Sequence, residues 1–151
     1  MSESRGGPGP AGPVVVGVDG SEASSAALAW AAEEARLRGT ALRVLRAWQV
    51  PALAYGAWVL PPDSLADWEA SVGSELEDQV SAVLGDRAGL EVVAEARQGP
   101  AARVLVEASA SAGLLVVGSR GGGGFSALLL GSVSLQVAHH ASCPVVIVRR
   151  G

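Results

Sequence analysis

Residues Leu114–Ser134 read LLVVGSRGGGGFSALLLGSVS, and this stretch decides the fold. Leu114–Gly118 is apolar throughout, the pattern of a strand buried on both faces in a parallel sheet. A turn follows with glycines at 118, 121, 122, 123 and 124. Then comes a short apolar stretch, Phe125–Leu130. Gly131-Ser132-Val133-Ser134 opens a helix that is predicted to run over Ser132–His140. An apolar strand, a glycine turn and a helix start in succession form one half of a β-α-β unit.

The same alternation extends outward. Towards the amino terminus, Val14–Val18 is a β-branched strand ending at Asp19-Gly20-Ser21, with Ser21 a helix N-cap. Ser24, Ala27, Leu28, Ala31, Ala32 and Ala35 then mark a helix of small residues that ends near Arg38-Gly39. Ala41–Trp48 is a second strand. Pro51, Pro61 and Pro62 break the long connection after it. A helix starting at Asp63 or Ser64 runs to about Leu84, with Leu65, Trp68, Val72, Leu76, Val80 and Val83 on one face. Leu90–Ala96 is a third strand, Ala101–Ser109 a helix with Pro100 at its start, and Val145–Val148 the last strand. The order β-α-β-α-β-α-β-α-β predicts one α/β domain over residues 14–150. Its fold class is a five-stranded parallel sheet with helices on both faces. Residues 1–13, MSESRGGPGPAGP, read as a disordered leader.

Composition narrows the function. Apolar residues are 49 % of the 151, enough for a core built mainly from Val, Leu and Ala. The formal net charge of −4 argues against general nucleic-acid binding, which needs a basic surface. Every basic residue is arginine, so a P-loop lysine, a Schiff base and a lysine general base are all excluded. Cys143 is the single cysteine, which rules out an internal disulfide and a cysteine metal cluster. No signal peptide is visible. No apolar run approaches the ~20 residues that span a bilayer. A reduced, cytoplasmic protein without membrane contact is expected.

The 118–134 segment has the chemistry a polyphosphate needs. Glycines let phosphate oxygens approach the backbone without a Cβ clash, and successive N–H groups in such a turn converge on an anion. The helix at Ser132 starts with unpaired N–H groups and a partial positive charge. The hydroxyls of Ser132 and Ser134 can donate, and Arg120 adds a charged donor. No Asp or Glu occurs after Glu107. The same residues also read as a flexible loop followed by a serine cap, and both readings stand on these observations. Gly122-Gly123-Gly124-Phe125-Ser126-Ala127 matches the dinucleotide pattern G-x-G-x-x-A, but the acidic residue required about 20 positions later is missing.

The spacing Gly118-x-x-Gly121, nine residues, then Gly131-Ser132 resembles the G-2x-G-9x-G-(S/T) signature of the ATP-binding universal stress proteins. VVVGVDGSEAS, RVLRAW, GPAARVLVEAS and HHASCPVVIV resemble further segments of that family in the right order. The similarity covers about residues 14–150. It implies the adenine-nucleotide α-hydrolase-like fold and an adenine nucleotide as ligand: ATP, or AMP or ADP, with Mg²⁺. By resemblance, Asp19 lies near the ribose and phosphates or the nucleotide-bound metal. Ala47 meets adenine through its backbone. Gly118 and Gly121 border the ribose and phosphates. Gly131, Ser132 and Ser134 hold the phosphates, and Val133 contributes its backbone. Many members carry an acidic residue where this chain has Gly113, at the far end of its strand from the site. The resemblance also implies a homodimer through Val145–Val148, an edge that needs covering.

The remaining candidates read as structural. Asp19 before Gly-Ser also suits a plain turn. His139 and His140 are adjacent on a helix, do not face one another, and lack partners for a zinc shell. Trp48 and Trp58 flank the long connection and are the aromatic candidates for stacking a base, whereas Trp30 and Trp68 suit helix packing. The phosphate segment lacks both a carboxylate and a lysine, which argues against efficient turnover. The expected function is a nucleotide-dependent regulatory or stress-response module. The alternatives are a slow ATPase and a structural homodimer without nucleotide.

Overall fold

The computed structural model describes residues 12–50, 62–87, 89–119 and 131–149. Five strands form one sheet: β1 (Val14–Gly17), β2 (Leu42–Trp48), β3 (Val92–Gln98), β4 (Leu114–Gly118) and β5 (Val145–Val148). The four helices are α1 (Glu22–Arg38), α2 (Pro62–Leu84), α3 (Ala101–Ser109) and α4 (Ser132–His140). The sheet order is β3-β2-β1-β4-β5, and every pairing is parallel.

This order has one reversal. From β1 the chain steps outward to β2 and β3, then returns to place β4 on the other side of β1. The connections after β1 and after β4 therefore leave in opposite directions, and a crevice opens between them at the carboxyl edge.

Alternation along each strand sorts side chains between two cores. Val14, Val16, Leu42, Val44, Leu114 and Val116 face α1 and α2, where Leu28, Leu76 and Val80 meet them. Val15, Leu45, Leu115 and Val117 face α3 and α4, against Val104, Leu105, Ala108 and Val137. The three valines of β1 are fully buried, as the central strand of a doubly covered sheet requires.

α1 lies close to the sheet because its inward residues are small, Ala27, Ala31 and Ala35 among them. Ser21 caps it: the Ser21 Oγ accepts from the Ser24 N–H at 3.1 Å. Gly39 closes it in the left-handed region at φ 70°. Such a cap contributes about 1 kcal/mol.

The sheet moves some boundaries away from the sequence-based expectation. β3 covers Val92–Gln98 rather than 90–96, because its residues pair in register with β2 from Leu42↔Val92 to Trp48↔Gln98. Leu90 is instead buried in the preceding turn, its N–H on the Arg87 carbonyl. β1 and β2 are each one residue shorter than expected, ending at Gly17 and starting at Leu42. α2 begins at Pro62, a first-turn position that proline tolerates. Residues 1–11 of the expected leader lie outside the described residues. Pro13 is tied to the domain, its carbonyl accepting the Gly113 N–H at 2.9 Å.

Candidate functional site

The crevice at the carboxyl edge of β1 and β4 holds a pocket. Its walls come from β1 and its turn (Gly17, Val18, Asp19), β2 (Leu45, Ala47), α3 (Ala101, Leu105), β4 (Val117, Gly118) and the start of α4 (Gly131–Ser134), with Ser24 of α1. Seven residues singled out in the sequence thus line one cavity: Asp19, Ala47, Gly118, Gly131, Ser132, Val133 and Ser134. Arg120 and Gly121 lie outside the described residues.

Asp19 sits in a tight turn. Its Oδ1 accepts the Ser21 N–H at 2.9 Å, an Asx turn, and Gly20 takes φ 86°, where a side chain would be strained. Asp19 is exposed, so its second carboxylate oxygen can meet a ligand or a metal held by one. Ser24 carries more of the turn than the sequence suggests. Its Oγ accepts the Asp19 backbone N–H at 3.2 Å and donates to the Ser21 carbonyl at 2.9 Å.

On the opposite wall, α4 starts at Gly131 with extended backbone and no side-chain cap. Its first N–H groups face the pocket end of the helix, with the positive end of the helix dipole behind them. The Ser134 hydroxyl does not point outward as a free donor. It is buried, 2.9 Å from the Ser119 carbonyl and 3.0 Å from that of Gly131. Together with the 2.7 Å bond from Gly131 N–H to Ser119 C=O, it clasps the end of β4 to the start of α4. The Ser132 side chain is exposed at the pocket, which leaves it the better placed hydroxyl for an anion.

Gly118 has a structural reason of its own. A Cβ there would stand 3.0 Å from the Ala23 carbonyl oxygen, so the first glycine of the signature lets α1 approach β4. Gly17 is similar: its Cβ would meet Leu105 Cδ1 at 2.7 Å. Leu45, Leu105, Val117, Ala47 and Ala101 make the inner wall apolar. The pocket is therefore two-sided, with an apolar slot suited to a flat base or sugar beside a helix end suited to phosphate.

Gly17, Ser24, Leu45, Ala101, Leu105 and Val117 line this pocket although the sequence reading passed over them. Strand parity carries the signal for Leu45, which lies two residues from Ala47 and so faces the same side; Val117 enters only by its place beside Gly118 at the end of β4. The helical residues could not be placed without the packing of α3.

Trp48 does not stack over this slot. It is buried on the α2 side of β2, in a groove with Arg46, Trp68 and Glu75, because residues 47 and 48 point to opposite faces. Trp58 lies outside the described residues, and Trp30 is 38 % exposed rather than packed between helices. The His139 and His140 rings lie 6.1 Å apart on the exposed end of α4. Among the described residues no group of three His, Cys, Asp or Glu side chains comes together as a metal site. No helix among them is long and apolar enough to cross a membrane.

Fold and pocket define a doubly wound α/β protein with a crevice at the switch point of its sheet, where such folds take ligands. The chain matches the universal stress protein family over residues 11–149, and it belongs to that family. A universal stress protein of Mycolicibacterium smegmatis is 37 % identical over 138 residues, covering 89 % of this chain and 47 % of that protein. One from Mycobacterium tuberculosis is 37 % identical over 139 residues, with 89 % and 46 % covered. The chain spans about half the length of the curated relatives it matches.

Among solved structures, a universal stress protein in complex with cAMP superposes with a TM-score of 0.64 at 27 % identity, covering 93 % of this chain and 98 % of that one. The universal stress protein from Archaeoglobus fulgidus in complex with dAMP gives 0.54 at 25 % identity, with 89 % and 95 % covered. A universal stress protein from Lactobacillus plantarum, 23 % identical, shares the fold with a TM-score of 0.72 over 92 % of this chain and 98 % of that one.

Proposed function

We propose that this chain is an ATP-binding regulatory module of the stress response, its occupancy by nucleotide changing how it meets a partner. One observation carries the reading: a single pocket joins an apolar slot to the uncapped start of α4 and the Asp19 turn. Relatives of the same fold were solved with cAMP and dAMP, which supports an adenine nucleotide as the ligand class.

In this reading the base lies along Ala47 and Leu45, and the ribose against Gly118. The phosphates meet the N–H groups of Val133 and Ser134 and the hydroxyl of Ser132, with Gly131 leaving the helix end open. Arg120 and Gly121 contribute from the intervening segment by analogy with the family signature. Asp19 would hold a nucleotide-bound Mg²⁺ through its carboxylate, a hard oxygen donor suited to that ion, and the ion would supply positive charge to the phosphates. ADP and AMP fit the same slot with fewer phosphate contacts.

Efficient hydrolysis is not part of the proposal. Asp19 is the one carboxylate among the described residues of the pocket lining, and a fast phosphoryl transfer also needs a positioned base and a cation on the developing charge. The exposed edge of the sheet supports pairing with a second copy. Among the described residues β5 pairs with β4 alone, and Val145–Val148 are half-buried. A cytoplasmic location accompanies the nucleotide reading.

The test is to denature the purified chain, identify any nucleotide released, and titrate ATP with Mg²⁺ by calorimetry. Intact ATP with a one-to-one titration supports the module. ADP or AMP as the released species, with phosphate produced on incubation, replaces it with a slow ATPase. No released nucleotide and no heat overturns the reading in favour of a structural homodimer.

A further inference from the structure

α2 reaches the nucleotide pocket without lining it. Gln79 donates from Nε2 to Ser24 Oγ at 3.0 Å and to Ser25 Oγ at 2.9 Å. Ser24 Oγ is also the acceptor for the Asp19 backbone N–H and the donor to the Ser21 carbonyl. Three hydrogen bonds therefore lock one buried hydroxyl, and two of them hold the backbone of the Asp19-Gly20-Ser21 turn. One helical turn earlier on α2, Glu75 pairs with Arg46 at 3.0 Å. The Arg46 guanidinium lies over Gly20, 3.4 Å from where a Cβ would stand. Residues 75 and 79 share a helix face, so a single face of α2 supports the turn at two points.

Gln79 bears a cost in doing so. Its Oε1 is buried with no hydrogen-bond partner among the described residues. A buried acceptor left unpaired is destabilising, and an apolar side chain of similar length would avoid it. The two bonds Gln79 donates and the acceptor it leaves unpaired oppose one another, so glutamine brings little net stability at this position. We infer that Gln79 is a positioning residue for the nucleotide site, holding Ser24 so that the Asp19 turn keeps the shape that receives phosphate and metal. The inference rests on the proposed nucleotide reading. It adds that α2, which contributes no described residue to the pocket lining, governs affinity there through Ser24.

The test compares Gln79→Met and Gln79→Glu, neither of which can donate to Ser24, with Ser25→Ala. The Ser25 variant loses a Gln79 bond that has no link to the turn. In the nucleotide-free full chain, amide hydrogen exchange by NMR should speed up about fivefold at Asp19 in both Gln79 variants, the scale of one hydrogen bond. Val18, whose N–H is held by the Leu45 carbonyl, should stay unchanged. Calorimetry with ATP and Mg²⁺ should show affinity falling by about three- to tenfold in both, with Ser25→Ala binding as the parent does. The melting temperature of Gln79→Met should hold or rise, since its orphaned acceptor is gone. A merely structural role would instead lower affinity and melting temperature together, and that result overturns the inference. So does unchanged Asp19 exchange. Tight binding by the parent matched by Gln79→Met overturns this inference alone; a parent that binds no nucleotide overturns the functional reading and this one with it.

Discussion

Two helices begin at the same pocket and are finished differently. α1 is capped from within: Ser21 Oγ takes the Ser24 N–H, and Asp19 Oδ1 takes that of Ser21. α4 has a glycine at its cap position and no side-chain cap, and the nearby Ser134 hydroxyl is spent on the carbonyls of Ser119 and Gly131. The difference separates two uses of a helix start. The Ser24 N–H of α1 and the Ser21 N–H before it are satisfied by the local sequence and serve stability. The first N–H groups of α4 have no side-chain cap among the described residues, and in the proposed reading they meet the phosphates, since the helix dipole favours an anion there.

Exchanging the two kinds of end should break the comparison most sharply. Gly131 has extended backbone at φ −69°, which any residue adopts, so Gly131→Asp should cap α4 while placing a negative charge where phosphate would sit. ATP affinity by calorimetry should fall about a hundredfold, about 2.8 kcal/mol, while the melting temperature holds or rises. Loss of fold in place of loss of affinity would mean that α4 is scaffold only.

Gly118→Ala tests the close approach of α1. The new Cβ meets the Ala23 carbonyl at 3.0 Å, and the shift it forces should cost about 2 kcal/mol in urea unfolding. An unperturbed midpoint would return the signature glycine to a purely ligand-facing role. Ser21→Ala is the counterpart at the capped end. It should lower stability by about 1 kcal/mol and leave ATP affinity within about twofold, because Ser24 and not the Ser21 hydroxyl holds the Asp19 N–H; a large affinity loss would show that the cap itself also shapes the Asp19 turn.

The smallest effect expected is at the β3 edge, far from both helix starts. The hydrogen bond from Arg43, 2.8 Å from Glu95, and the nearby charge of Arg97 hold the Glu95 carboxyl below the usual carboxylate range. Because its folded value is depressed, its contribution is present above the unfolded value and is lost as pH falls through the folded one. Acid unfolding of Glu95→Gln should therefore lack that limb, a slight change because the pair is partly solvated. An unchanged acid profile would mean that Arg43 and Arg97 do not stabilise this edge.

Much of this comparison is legible along the chain. Asp19-Gly20-Ser21 reads as a turn and a cap. Gly131-Ser132 reads as a helix start, but whether a serine caps it or an anion meets it stays open along the chain. The alternation of apolar strands with helical spacing gives the parallel sheet, and the family resemblance orders it. The roles of Ser24, Gln79 and Ser134 are not legible. Each has the composition of an ordinary polar helix residue, and its partner is either a backbone carbonyl across a turn or a side chain about 55 positions away.

The sequence by itself determined which segments are strands and helices, that the sheet is parallel, and that Ser21 suits the cap of the first helix. Those outcomes rest on local preferences and on periodicity, which neighbours along the chain carry. Only the tertiary structure decided that β3 slides two residues to meet β2, that Trp48 turns from the slot into which Ala47 faces, and that the two glycines of β1 and β4 admit Leu105 and Ala23. Those are matters of register and of distance between elements far apart in the chain. They are set by the joint packing of two cores on one sheet, where a shift of one residue would turn every side chain to the other face.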